Sequence, residues 1–239
     1  MKRIIAFSLL LTFVLAAFAQ RLPQSTMPPK RELRSAWVST VWGIDWPKQG
    51  APAERQKAEL VRMLDSLKNN NFNAINLQVR SMSDAFYQSS YEPWSSYLTG
   101  TRGKHPGYDP LAFAVSECHK RGMEIHAWIN PYRFCITKMW NTERDQVAKR
   151  HLLRWGKFYI LDPAQQWTID RIVNVCREVV TKYDVDGILY DDYFYPNGIA
   201  SSVAAPDYKE WQNSGTDRSS GDWRRENVNL MVKVAYDMI

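Results

Sequence analysis

A parallel α/β domain of barrel type is predicted by three features of this 239-residue chain. Short apolar runs alternate strictly with helical patterns, which calls for parallel strands joined by helical crossovers. The runs carry one apolar and one polar row, whereas a doubly wound sheet, covered by helices on both sides, is apolar on both. Acidic, amide and aromatic residues gather where the runs end, the edge at which parallel α/β folds bind ligands. An antiparallel sheet with one wetted face accommodates the rows but leaves the intervening helices unexplained.

The chain opens with a segment separate from that pattern. Lys2 and Arg3 precede an apolar stretch, Ile4 to Ala16, and Ala17-Phe18-Ala19 forms a small-residue cleavage site, so residues 1–19 read as a secretory signal. The stretch is shorter than the roughly 20 residues a bilayer-spanning helix needs. The mature protein is therefore expected to be secreted or periplasmic, with no stable membrane insertion after cleavage. Residues 20–33, with Pro23, Pro28 and Pro29, read as a linker.

The domain is expected over 34–239. A first strand runs from Ser35 to Val41, then a helix near 53–70 carries Leu60, Val61, Leu64 and Leu67 at helical spacing. Ala74 to Arg80 form the second strand, with Ile75, Leu77 and Val79 opposing Asn76, Gln78 and Arg80. Asp109-Pro110 starts the next helix as N-cap and first helical residue, and Arg121-Gly122 ends it. Glu124 to Asn130 make the third strand, with His126, Trp128 and Asn130 on the polar row. Asp162-Pro163 repeats the start signal for a helix bearing Ile169, Ile172, Val173, Cys176 and Val179. Val185 to Asp191 make the fourth strand, and a last helix begins near Asp222.

Composition narrows the function classes. At 45% hydrophobic and 23% charged residues the chain is globular rather than disordered. Its net charge of +6 includes Lys2 and Arg3 of the signal, and no Lys/Arg run marks a nucleic-acid track, so no nucleic-acid partner is expected. Three cysteines, Cys118, Cys135 and Cys176, are odd in number and far apart, which gives neither a disulfide framework nor a zinc spacing. Ten Trp and twelve Tyr point to a surface that binds by stacking.

The site is expected at the strand ends. Period-two alternation places Gly187, Leu189 and Asp191 on the polar row and leaves Asp192 to begin the loop. Carboxyl groups there suit glycoside hydrolysis, which commonly uses one as acid and another as nucleophile or base; the competing role is a cap or turn. Trp128, Asn130, Tyr132 and Tyr193 supply platforms and amides for a sugar. Arg80 and Arg133 are candidates for a substrate carboxylate, against a structural ion pair with Glu92 or Asp84. Asp84 is a candidate second carboxylate in contact with substrate, against a role in turn chemistry, and lies in a long loop, 81–108, that also carries Phe86, Tyr87, Tyr91, Trp94 and Tyr97. His126 is expected to fill the lumen, while Trp37, Trp42 and Trp46 fit either a site wall or packing. No cofactor or metal is called for, because the four His show no ligand spacing.

These blocks in this order carry a family resemblance. RSAWVSTVW at 34–42, NAINLQVR at 73–80, SDAFY at 83–87, EPWS at 92–95, LTG at 98–100 and YDPL at 108–111 are followed by HAWINPYR at 126–133. YDVDG at 183–187, DDYFYP at 191–196 and DWRRENV at 222–228 complete the set. The chain resembles the glycosyl hydrolase-like 10 group of exported bacterial proteins, nearly throughout its mature length. The resemblance implies a (β/α)8 TIM-barrel type fold and a glycan, in particular a bacterial cell-wall glycan or other polysaccharide, as substrate. The run from Gly187 to Asp191 is also similar to the strand bearing the nucleophilic Asp of α-amylase-like barrels.

Length sets a further expectation. Four βα units fill 34–239, and eight at that rate need about 400 residues. The chain is therefore expected to be the amino-terminal part of a barrel from a truncated reading frame, with a second catalytic carboxylate beyond Ile239 and the retaining or inverting outcome open. The leading expectation is an exported glycoside hydrolase with Asp191 as catalytic carboxylate and Asp192 as its helper. A non-catalytic glycan-binding module and a metal-dependent carbohydrate deacetylase are the alternatives.

Overall fold

The computed structural model describes residues 32–142, 145–191 and 194–239. The expected signal at 1–19 and residues 20–31 of the expected linker lie outside them. Among the described residues no helix is long and apolar enough to cross a membrane.

Four strands form one parallel sheet in the order β1 (Ser35–Val38), β2 (Ala74–Arg80), β3 (Glu124–Ile129) and β7 (Gly187–Leu189). Helix α1 (Ala53–Asn69) joins the first pair, α3 (Pro110–Lys120) the second and α4 (Gln166–Lys182) the third. These are the successive units of a TIM-barrel-type α/β fold. Ile75, Leu77 and Val79 of β2 and Ile125, Ala127 and Ile129 of β3 are fully buried against Leu60 and Leu64 of α1 and Leu111, Ala114 and Cys118 of α3. Burying one such Leu or Ile side chain contributes about 1.5–3 kcal/mol, so this row fixes which way the sheet faces.

The end signals act largely as read. Asp109 accepts from the Ala112 N–H at 3.0 Å with Pro110 in the first turn, and α3 stops at Gly122, whose φ of 60° suits a residue without a side chain. The last helix, α6 (Ser220–Met238), is capped by the Ser219 hydroxyl, which accepts from the Asp222 N–H at 3.1 Å. It packs on α4.

Several expectations need correction. The first strand ends at Val38, because Ser39 donates its N–H to Asp45 Oδ2 at 2.8 Å and the chain turns through Trp42 at φ 57°. The fourth covers Gly187–Leu189 rather than 185–191. Asp162 does not cap α4, whose N-cap is Gln165. Asp162 instead accepts from the Ala164 N–H and from Gln165 Nε2 at 3.0 and 3.1 Å, and burial holds its carboxyl above the ordinary range.

The segment between β3 and α4 holds three strands that the periodicity does not reveal. β4 (Arg133–Ile136), β5 (Leu152–Trp155) and β6 (Phe158–Leu161) form an antiparallel sheet in the order β4-β6-β5. The β5–β6 hairpin turns at Gly156-Lys157, with Gly156 at φ 54°. Two short helices, α2 (Ser96–Thr99) and α5 (Tyr208–Asn213), also go unread. All three cysteines are buried. Burial pushes the Cys118 thiol up to about 12 and the Cys176 thiol up to about 11, Cys176 sitting 2.9 Å from the Tyr190 hydroxyl.

Candidate active site

The polar row of the sheet runs through Asn76 and Gln78 of β2, His126 and Trp128 of β3, and Gly187 and Leu189 of β7, paired in register. Gly187 carries no side chain where a Cβ would stand 3.6 Å from the His126 ring, and His126 Nε2 lies 3.1 Å from Glu124 Oε2. Ile188 and Tyr190, the opposite parity, pack against the core. The chain therefore delivers Asp191 to the polar side, two residues past the end of β7.

There Asp191 is held by its neighbour. Asn130 follows β3, continues its pairing by donating its N–H to the Arg80 carbonyl at 2.9 Å, and donates from Nδ2 to Asp191 Oδ1 at 2.7 Å. Asn130 Oδ1 in turn accepts from Gln78 Nε2 at 2.5 Å, and Gln78 Oε1 accepts from the Thr40 and Val41 N–H groups at 3.0 and 2.9 Å. A chain of hydrogen bonds thus crosses three strand ends and stops at a half-buried carboxyl group whose second oxygen has no partner among the described residues. Asp192 and Tyr193, expected here too, lie outside the described residues.

Arg80 is not available. It is 0% exposed, and all five donors are taken. Nε and Nη2 meet Glu92 Oε1 at 3.1 and 2.9 Å, Nη2 also reaches the Ser83 hydroxyl at 2.8 Å, and Nη1 serves the Asn130 and Pro131 carbonyls at 2.5 and 3.0 Å. The structural ion pair with Glu92 is the role it has, and it shapes the backbone beneath Asn130. Arg171 also reaches Glu92, at 3.2 Å. Burial alone raises the Glu92 carboxyl, but Arg80 and Arg171 outweigh it and hold the group below its ordinary value. Asp84 is likewise spent, accepting from the Ser81 and Met82 N–H groups at 3.0 and 2.8 Å within a buried turn.

The aromatic residues divide in the same way. Phe86, Tyr87 and Tyr97 of the long loop are buried in the core, so most of that loop packs rather than stacks on a ligand. Tyr132 is also fully buried, its hydroxyl without a partner among the described residues. Trp46 is buried and donates to the Gln56 carbonyl at 2.8 Å, whereas Trp37 is 49% exposed and meets Trp128 edge to face at 4.8 Å. Trp128 is 8% exposed, on the polar row, with Nε1 buried and unpartnered among the described residues. Arg133, Trp155, Phe158, Phe194, Tyr195 and Pro196 line a cavity of about 200 Å³ formed by the small antiparallel sheet and the segment that follows Asp191. Among the described residues no group of three His, Cys, Asp or Glu side chains is placed to hold a metal ion.

Gln78 and the β1 turn escaped the sequence reading. The signal was present, since Gln78 sits on the polar row at the same level as Trp128, but a polar residue on that row carries no mark of its partner.

The fold is that of a TIM-barrel-type domain that presents a carboxyl group at the carboxyl edge of its parallel sheet. The chain belongs to the glycosyl hydrolase-like 10 family, whose model matches residues 32–239. It is 41% identical over 241 residues to glycosyl hydrolase YngK of Bacillus subtilis (strain 168), covering 97% of this chain and 47% of that protein. It is 34% identical over 237 residues to glycosyl hydrolase DigH of Escherichia coli (strain K12), covering 90% of this chain and 54% of that one. The chain thus spans about half the length of the curated relatives it matches. Among solved structures, a hypothetical protein from Ruminiclostridium thermocellum ATCC 27405 aligns with a TM-score of 0.55 at 13% identity, over 85% of this chain and 92% of that one. Alpha-L-fucosidase isoenzyme 2 from Paenibacillus thiaminolyticus aligns with a TM-score of 0.52 at 15% identity, over 87% of this chain and 29% of its own. Likeness at that identity speaks to the fold alone.

Proposed function

We propose that the full-length protein is an exported glycoside hydrolase that cleaves a bacterial cell-wall glycan, with Asp191 as one of its catalytic carboxyl groups. The observation that carries this reading is Asp191 itself, fixed by Asn130 through one oxygen and with no partner among the described residues at the other, on the polar row at the carboxyl edge of a parallel sheet. The names of the relatives, glycosyl hydrolases both, support the reaction class. The apolar stretch and small-residue cleavage site at 1–19 support export.

Substrate contact is assigned to three places. Trp128, 8% exposed on the polar row, backs the site beneath the substrate, Asp191 Oδ2 offers an acceptor, and the aromatic cavity around Arg133 and Phe194 a stacking wall for a sugar ring. Asp192 and Tyr193 enter this reading through their place in the chain beside Asp191.

Soluble glycan strands prepared from cell walls test the proposal. Incubation with the full-length protein is expected to raise the number of reducing ends steadily and equally with and without a chelator. Strands that gain free amines but no reducing ends, with the gain abolished by chelator, would make the protein a metal-dependent deacetylase instead.

A further inference from the structure

The amides at the strand ends have a fixed direction. The Thr40 and Val41 N–H groups only donate, so the atom of Gln78 that faces them is its oxygen. Gln78 therefore presents Nε2 to Asn130, which must answer with Oδ1 and is left with Nδ2, a pure donor, towards Asp191. Neither amide can reverse without setting donor against donor or acceptor against acceptor in a buried place. The backbone of the turn after β1 thus determines what Asp191 Oδ1 meets three strands away.

This direction bears on which of the two carboxyl roles falls to Asp191. A general acid must give a proton to the leaving oxygen, while a nucleophile or base must keep a lone pair and its negative charge positioned. A fixed N–H donor serves the second need. We propose, resting on the glycosidase reading above, that Gln78 is a positioning residue that acts through Asn130 to hold Asp191 as nucleophile or base, with the proton supplied by a different carboxyl group. Gln78 touches no substrate.

The test is Gln78→Glu in the full-length protein. The new carboxylate still accepts from the Thr40 and Val41 N–H groups, so the turn keeps its partners, but it has no hydrogen for Asn130. The Asn130 amide then reverses and turns its oxygen on Asp191. The expected result on soluble cell-wall glycan strands is a kcat lower by about 10²- to 10³-fold, the loss typical of removing one fixed donor from charge stabilisation, with KM changed by less than about threefold. Thermal unfolding of the variant reports whether its fold is intact.

A second reading needs no substrate. With ¹⁵N-labelled Asn and Gln, the Asn130 side-chain amide resonances are expected to move in Gln78→Glu, and those of Gln78 to move in Asp191→Ala although the two residues are not in contact. Amide resonances that stay in place, or a folded Gln78→Glu variant with wild-type kcat, overturn the relay. Absence of any glycan cleavage by the wild type, with the resonances moving as expected, overturns the glycosidase reading alone. For the assignment of role, an aryl glycoside of the sugar found at the released reducing end, with a leaving group that needs no proton, is expected to be cleaved by Gln78→Glu with the same deficit as the glycan. Full rate on that compound would make Asp191 the acid and overturn the assignment.

Discussion

Replacing Asp191 by Asn is expected to lower kcat for glycan cleavage by about 10³-fold while leaving the fold and glycan affinity close to those of the wild type. The side chain of Asn has the same shape, and its oxygen can still accept the hydrogen bond that Asn130 donates at 2.7 Å. What disappears is the negative charge and the lone pair of the second oxygen. Charge that acts mainly in the transition state appears in kcat and kcat/KM together, whereas charge that merely binds substrate appears in KM. Steady-state kinetics on soluble strands separates the two. An unchanged kcat with a raised KM would move Asp191 from catalysis to substrate binding.

Arg80→Met is expected to destabilise the domain by about 3–5 kcal/mol, nearer the lower figure because Arg171 stays beside Glu92. Methionine fills much of the space but leaves Glu92 buried with half its compensation, and strips the Asn130 and Pro131 carbonyls of their donor. Denaturant unfolding at neutral pH measures the loss. The same pair predicts an acid limb in the wild type. The folded Glu92 carboxyl lies below its ordinary value, so its contribution is complete above the unfolded value, roughly pH 4.3, and is lost as the pH falls from there through the folded value. In Arg80→Met part of that limb is gone already at pH 7, so the stability curve is flatter in acid.

The sheet was legible because its strands are long enough to show a period. Seven residues in β2 and six in β3 display both rows, and the Asp109-Pro110 and Arg121-Gly122 signals bracket the helix between them. The strands β4, β5 and β6 have four residues each, too few to separate a strand from any apolar patch. Gly156-Lys157 between two apolar runs was the hairpin signal available there.

Alternation placed Asp191 and Asn130 on the polar side, where the structure has them, because position along a strand determines facing. It did not determine partners. Arg80 and Asp84 have the chemistry of a binding site and the position of one, yet Arg80 spends its donors on Glu92, Ser83 and two carbonyls, and Asp84 on its own turn. The sequence distances involved, 50 residues from Arg80 to the Asn130 carbonyl and 52 from Gln78 to the Asn130 side chain, carry no local pattern. The aromatic loop misled for a related reason: Phe86 and Tyr87 have the same composition whether they face a sugar or a core.

Mass analysis of what the full-length protein releases from purified cell-wall sacculi distinguishes cutting glycan from merely holding it. A glycosidase is expected to release soluble fragments, each bearing a new reducing end, whose masses correspond to hydrolysed glycosidic bonds. Protein that sediments with the sacculi while the supernatant contains no such fragments would contradict the glycosidase reading and leave a glycan-binding module.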